Sequence, residues 1–449
     1  MTNDRVQRPK AKLFLAAYTL FITVKILRLL VGGVKTKDAA IPYYSPLGAM
    51  LRSISFSSFV LLWGISLVFI MSMYKKKFVY SRSVKVLAAG VGAWLLWGFV
   101  ISFSGLTMFP SSGDYYELAR YTAFISTLVM ASRVVISYDI FREVVGITCF
   151  VLGTILLGGY VTHFNGLEFL GSLGGIFQAS DRYRVAFGFN HVNTTGRMCM
   201  HYFMFMALYK VLLQEKQSAL FYARGGGRKS FRSDTLYSYL LMLSPIILIM
   251  LLSTASRTSI AGVILFWMVY FALTQYQKFG GYAKPLLFSG IVLLTALSFL
   301  VFDWYELFEY FYASRGINFT STLPILAERN FWLTGMGFTL WDTLNRVRTT
   351  TLLDNFYLAT LLQSGLVGFF LLIGTVARFT YLYFREAMRM NKQDRIIGGV
   401  LIAMLFYGML EDYMFGQGPF DFVNWLLAVT AMNERSRRTE IYTSTSLVS

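Results

Sequence analysis

The sequence predicts an all-α, polytopic transmembrane bundle of about twelve spans with both termini cytoplasmic. Three observations predict it. Of 449 residues, 56% are hydrophobic and only 14% are charged, where a soluble domain carries about a quarter charged; mean hydropathy is +0.55. The apolar residues also come in long blocks, whereas a soluble core scatters them at helix or strand spacing. The net charge of +18 lies in short Lys and Arg runs between those blocks, the positive-inside pattern of a membrane protein. That placement argues against a nucleic-acid partner.

A helix crosses the hydrocarbon core with about 20 apolar residues. By that measure the spans fall at 13–32, 50–73, 86–104, 117–136, 142–163, 191–213, 236–253, 258–275, 285–303, 355–384, 396–412 and 420–433. The first follows Arg5, Arg8, Lys10 and Lys12 but lacks a small-residue cleavage site, so it reads as a retained span. The tenth is long enough to tilt or to extend into the cytoplasm, and the twelfth is short. With the N-terminus inside, the cytoplasmic segments carry more than twice as many Lys and Arg as the opposite loops. Those loops hold nine: Lys35, Lys37, Arg182, Arg184, Arg257, Arg315, Arg329, Arg346 and Arg348.

The chain reads as a single integral membrane domain, 1–449, with long external loops at about 164–190 and 303–354. The second is rich in aromatics and is a candidate cap over an active site. Gly225–Gly227, among basic residues, reads as a flexible cytoplasmic connector. Cys149 and Cys199 each lie inside an apolar block, and with no Cys-x-x-Cys or Cys/His cluster neither a disulfide framework nor a zinc site is expected. No carboxylate cluster has metal-ligand spacing, so no metal or other cofactor is expected.

Candidate chemistry gathers in three places. In Asp181–Gly196, Arg182 and Arg184 precede a glycine-punctuated aromatic stretch that enters a helix at His191-Val192-Asn193-Thr194. A helix N-terminus, capped by Asn193 or Thr194 and flanked by Arg182, Arg184 and Arg197, suits an anion. The competing reading has interfacial arginines snorkelling to headgroups and His191 simply capping. Next, Ser253–Ser259 forms a very short outer turn in which Arg257 has almost no loop to reach water; an arginine at such depth needs a partner or a function, or else anchors to headgroups. Last, the second external loop brings Arg315, Glu328, Arg329, Asp342, Arg346 and Arg348, and closes on Asp354-Asn355 before a span containing Gly365 and Gly368. Asp354 reads either as an N-cap or as a general base beside a cationic site. Glu411, Asp412 and Asp421 form a weaker acidic cluster in the last outer turn.

Together these residues resemble the O-antigen ligase and Wzy-type polysaccharide polymerase family of bacterial membrane glycosyltransferases. Members show an Arg followed by a Gly-aromatic-Asn segment, matched by Arg184 and Gly188-Phe189-Asn190-His191-Val192-Asn193. A Ser-Arg pair in a short outer turn is matched by Ser256-Arg257, and an Arg with a later Gly-x-Gly-Phe by Arg315 and Gly335-Met336-Gly337-Phe338. The ligases place His-Asn nine residues before Gly-x-x-Gly; here Asp354-Asn355 precedes Gly365-Leu366-Val367-Gly368 at that spacing. The resemblance covers about residues 180–375. The carboxylate in place of histidine, in a loop without any His, brings the chain nearer to a polymerase than to a ligase.

The resemblance implies a polyprenyl-diphosphate-linked oligosaccharide as substrate, on the outer face of a bacterial plasma membrane. Arg184, Arg257 and Arg315 would hold the diphosphate, Asp354 would act as base, and Arg182, His191, Asn193, Arg197 and Asn355 would complete substrate binding. A chain-length regulator and a flippase of the same pathway are the implied partners beside the bilayer itself. The principal alternative is a lipid-linked oligosaccharide flippase or other secondary transporter, which Lys25 and Arg28, three apart in the first span, would suit. A ligase-type transferase is the second alternative.

Overall fold

The computed structural model describes residues 4–31, 46–73, 78, 80–107, 112–166, 169, 171–172, 184–189, 191–223, 234–279, 324, 326–327, 331–338, 355–385, 390–410 and 418–446. Among them there is no strand. Eleven long helices follow one another: α1 (Asp4–Val31), α2 (Pro46–Ser72), α3 (Arg82–Phe103), α4 (Ser112–Ser137), α5 (Phe141–His163), α6 (Val192–Ala223), α7 (Thr235–Ser253), α8 (Arg257–Phe279), α9 (Phe356–Arg385), α10 (Lys392–Leu410) and α11 (Pro419–Ser446). They coincide with eleven of the twelve predicted spans; the ninth, 285–303, lies outside the described residues, as does the Gly225–Gly227 connector.

Seven of these helices (α2, α3, α4, α5, α7, α8 and α9) are long and apolar enough to cross a membrane. Their outer surfaces agree with that solvent. Phe103 is 87% exposed, Met242 78% and Val161 72%, and large apolar side chains stand out along α2, α3, α7 and α8 as well. On a soluble protein such surface is confined to small patches. The remaining helices carry polar residues in their apolar stretches, and these turn inward: Arg197 and His201 of α6, Asp394 and Arg395 of α10, and Asp421, Asn424 and Asn433 of α11 are all buried. Ionisable groups in membrane helices face the protein interior for the same reason, the cost of a charge in hydrocarbon. These are the features of a helical membrane protein.

Several helices outrun their apolar blocks. α6 continues to Ala223 and α11 to Ser446, because Leu, Gln, Glu, Lys, Arg and Ala keep a helix going after hydropathy has dropped. Side chains set the other ends. Ser81 caps α3 by accepting from the Val84 N–H at 3.2 Å, and Asp234 caps α7 by accepting from Tyr237 at 3.0 Å.

The chain divides into two compact units, the first made of residues 1–77, 130–267 and 391–400 and the second of 78–129, 268–390 and 401–449. In the first, α5 packs on α1, α6 and α7, and α1 also packs on α2. The Tyr18 and Thr148 hydroxyls meet at 2.7 Å between α1 and α5, and Tyr202 of α6 donates to the Leu240 carbonyl of α7. In the second unit α3 and α9 form the main pair, with Gly90 directly under Thr375. The apolar part of α11 is buried from Phe420 to Met432. It is fixed at one end by the Ser81 N–H donating to Asn433 at 2.9 Å and by Arg435, whose guanidinium lies over the Tyr383 ring and donates to the Tyr383 carbonyl.

Candidate functional site

In the first unit, Arg184 ties three segments together. Its Nε donates to the Thr254 carbonyl at the end of α7 at 3.0 Å, and its Nη2 donates to the Asn193 side-chain oxygen in the first turn of α6. The neighbouring Val185 N–H donates to the Ser253 carbonyl at 3.1 Å. The chain then reverses at Ala186–Phe189, closed by the Phe189 N–H on the Ala186 carbonyl at 3.0 Å. Both central residues are left-handed, Phe187 at φ 50 and Gly188 at φ 76. Gly188 suits this place on two counts, since its φ favours glycine and a Cβ there would lie 2.5 Å from the His163 ring. Phe187 holds a conformation costing about 1–3 kcal/mol, offset by burial and by stacking on Tyr160.

The head of α6 is capped by His191, whose Nδ1 accepts from the Asn193 N–H at 3.1 Å. His191 thus takes the capping place that the sequence suggested for Asn193 or Thr194. Asn193 instead points its oxygen at Arg184, and Thr195 bonds back to the Ala186 carbonyl at 2.7 Å. Arg197 follows on the next turn, buried, with its carbonyl 2.8 Å from His201 Nδ1.

Arg257 is the first residue of α8. The turn before it bends through Ala255 at φ 44. Ser256 accepts from the Ile260 N–H through its carbonyl at 3.0 Å, and its hydroxyl meets that of Ser259 at 3.0 Å. Gly196 of α6 lies so close that a Cβ would be 2.7 Å from Ser256 Cβ and Ser259 Oγ. Two helix heads therefore cross at one point, beside Arg184, Arg197 and Arg257. Each head carries a partial positive charge on its leading N–H groups, and arginine forks bind anionic oxygens in pairs. Positive charge therefore gathers in this part of the first unit, with Arg184 already committed to the Thr254 carbonyl and the Asn193 oxygen.

In the second unit the two glycine motifs meet each other. α9 is broken at Gly365, whose φ of 64 and ψ of −172 only glycine adopts readily. In an unbroken helix the Leu362 and Gln363 carbonyls would accept from Leu366 and Val367. Here they accept from Met336 at 2.6 Å and Gly337 at 3.2 Å, while the Leu366 N–H donates to the Trp332 carbonyl at 2.7 Å. The Ser364 carbonyl takes the Trp97 indole N–H at 3.0 Å, and the Ser364 hydroxyl takes that of Trp94 at 3.1 Å. Backbone groups released by the break are re-bonded by segment 332–337 and by α3, as a low-dielectric interior requires. The long tenth span is thus built as two half-helices that meet at Gly365.

Segment 331–338 enters between helices. Phe338 packs on Trp94 and Tyr121, in space left by Gly98. Trp94 lies nine residues before the end of α3 at Phe103, about 14 Å along the helix. Leu326 and Met336 form a buried cluster with Leu358, Ala359 and Leu362. Gly337, at φ 113, lies against the buried Asp114 carboxylate of α4, with its Cβ position 3.1 Å from Oδ2. At the head of α9 the cap is Asn355: its Oδ1 accepts from Leu358 at 3.0 Å, and its Nδ2 donates to the Met409 carbonyl of α10 at 2.9 Å.

Of the predicted site residues, Arg184, His191, Asn193, Arg197 and Arg257 come together in the first unit, and Asn355 belongs to the second. Arg182, Arg315 and Asp354 lie outside the described residues, with Glu328, Asp342, Glu411 and Asp412. Three residues were missed. Trp94 and Trp97, a turn apart in an apolar span, signalled their role through indole N–H groups that must find acceptors when buried. Asp114, in the first turn of α4, had only an ordinary helix-start signature. Among the described residues no His, Cys, Asp and Glu group could hold a metal. No protein-family model matches the chain, and no curated protein matches it.

Proposed function

We propose that this protein is a polymerase of surface polysaccharide, transferring glycan from a polyprenyl-diphosphate donor to the acceptor sugar of another lipid-linked repeat unit. An acceptor hydroxyl oxygen attacks the anomeric carbon, the bond from that carbon to the diphosphate oxygen breaks, and the hydroxyl proton passes to a base. Asp354 is the base in this reading, and the diphosphate leaves as an anion. Its charge is the main electrostatic problem, so fixed cations in a water-poor site have the largest effect. Arg184 and Arg257, beside the crossing heads of α6 and α8, suit that role, with Arg315 as the third cation. In this reading these groups face outward from a bacterial plasma membrane, and the charge asymmetry between alternate loops supports that sidedness.

The observation that carries the reading is the close approach of Gly335-x-Gly337 to Gly365-x-x-Gly368, with Met336 and Gly337 bonded to the Leu362 and Gln363 carbonyls just before the break. The resemblance rests on these as separate motifs, and each has a physical need for its glycines in the same small structure. The break in α9 also favours a second reading, a transporter, because discontinuous helices build many transporter sites. Such sites use unwound carbonyls to hold ions. Here the Leu362, Gln363 and Ser364 carbonyls already accept from protein donors, which favours the enzyme. Purified protein supplied with lipid-linked repeat units should yield glycans of two or more units; products that never exceed one unit would end the polymerase reading.

A further inference from the structure

We infer that the leading half of α9, Phe356–Ser364, is a fixed platform, and that Asn355 and Trp97 are positioning residues holding it for the transfer reaction. The inference rests on the reading above, in which Asp354, the covalent neighbour of Asn355, serves as base.

A nine-residue helix is marginal alone, and the break at Gly365 removes the support the rest of α9 would give it. It is instead held from three other directions. Segment 331–337 bonds to its trailing end through Met336 and Gly337, and the side chains of Met336 and of Leu326 pack on it. From α3, the Trp97 and Trp94 indoles bond to Ser364 at 3.0 and 3.1 Å. From α10, the Leu405 carbonyl accepts from the Tyr357 hydroxyl at 3.1 Å and the Met409 carbonyl accepts from Asn355 at 2.9 Å.

Rotation or sliding of this half-helix would break bonds to several elements at once. A lid is built the other way, with few buried contacts and one hinge. A continuous helix would have needed none of these ties to stay helical, so they serve to fix where its leading end lies. Asn355 is the key, because its oxygen caps the helix while its nitrogen fastens that cap to α10. Both ends of the amide are engaged by backbone groups, which assigns it to holding the platform. Holding reacting groups within fractions of an ångström is where enzymes gain much of their rate, and a 1 Å misplacement can cost about a hundredfold.

Asn355→Ser keeps a good cap and deletes the tie to Met409, and Trp97→Phe keeps the ring while deleting the bond to Ser364. Both variants and the wild type are followed by steady-state transfer with lipid-linked repeat units and by amide hydrogen exchange over 331–338 and 356–366. The wild type should protect the Met336, Gly337 and Leu366 amides. Each variant should lower kcat by about 10- to 100-fold with KM within about twofold. Asn355→Ser should leave the Met336 and Gly337 amides protected. Rapid exchange at those amides in the wild type overturns the platform. Unchanged kcat in both variants, or a raised KM at constant kcat, overturns the positioning role. A wild type that transfers no glycan at all defeats the polymerase reading instead, and protected amides would then leave a platform with no catalytic purpose.

Discussion

The Met336 N–H donates to the Leu362 carbonyl at 2.6 Å, joining the Gly335-x-Gly337 segment to the turn of α9 that ends at Gly365. The bond exists because Gly365 breaks α9 and frees that carbonyl. Substitution at the break should therefore be far more damaging than elsewhere in the helix. In Gly365→Ala a Cβ would collide with the Leu333 carbonyl in a conformation unfavourable to alanine, costing roughly 2–4 kcal/mol. Gly374→Ala, with nothing near its Cβ position, should be neutral or stabilise by about 0.5–1 kcal/mol. Thermal unfolding in detergent measures both; equal Tm values would contradict the broken-helix account.

Arg184→Ala should abolish polymer while leaving the protein inserted in the membrane. Lysine should restore little, since a point charge cannot reproduce the paired donors of a guanidinium toward diphosphate oxygens. Polymer length on gels, with membrane-fraction blots, reads this directly. Normal polymer from Arg184→Ala would reduce Arg184 to a brace between helices.

Asp354→Asn separates chemistry from capping more cleanly than the sequence alone allowed. The cap is Asn355, so the substitution should leave stability unchanged within about 0.5 kcal/mol and lower turnover by about a hundred- to ten-thousandfold. A variant with normal turnover would move the search for a base to His191, Glu328, Asp342, Glu411 or the buried Asp114.

Sidedness follows from the basic residues. Reporters fused within 213–235 and 385–395 should face the cytoplasm, and those within 304–350 the exterior. A cytoplasmic reading from 304–350 would separate the proposed site from its substrate.

The helices were legible because apolar length is a direct consequence of bilayer thickness, and eleven predicted spans coincide with helices. Arg184, Arg257 and the glycine motifs stood out in the sequence because charge beside apolar spans and clustered glycine are costly unless used. What they bond to did not. Nothing in the spacing of Gly335 and Gly365 reveals that one segment repairs the other, since that pairing is set by tertiary geometry. The capping of α6 by His191 rather than Asn193 was hidden for a similar reason: Asn193 is drawn off by Arg184, nine residues earlier. The burial of Asp114 against Gly337 also depends on a packing partner far away in sequence.

The central claim is tested most directly by reconstituting purified protein in vesicles with lipid-linked repeat units and no ion gradient, following glycan length, released lipid diphosphate and leaflet exchange together. A polymerase lengthens the glycan and releases one lipid diphosphate for each linkage formed. Exchange of intact units between leaflets, with glycan length unchanged and no lipid diphosphate released, would contradict it.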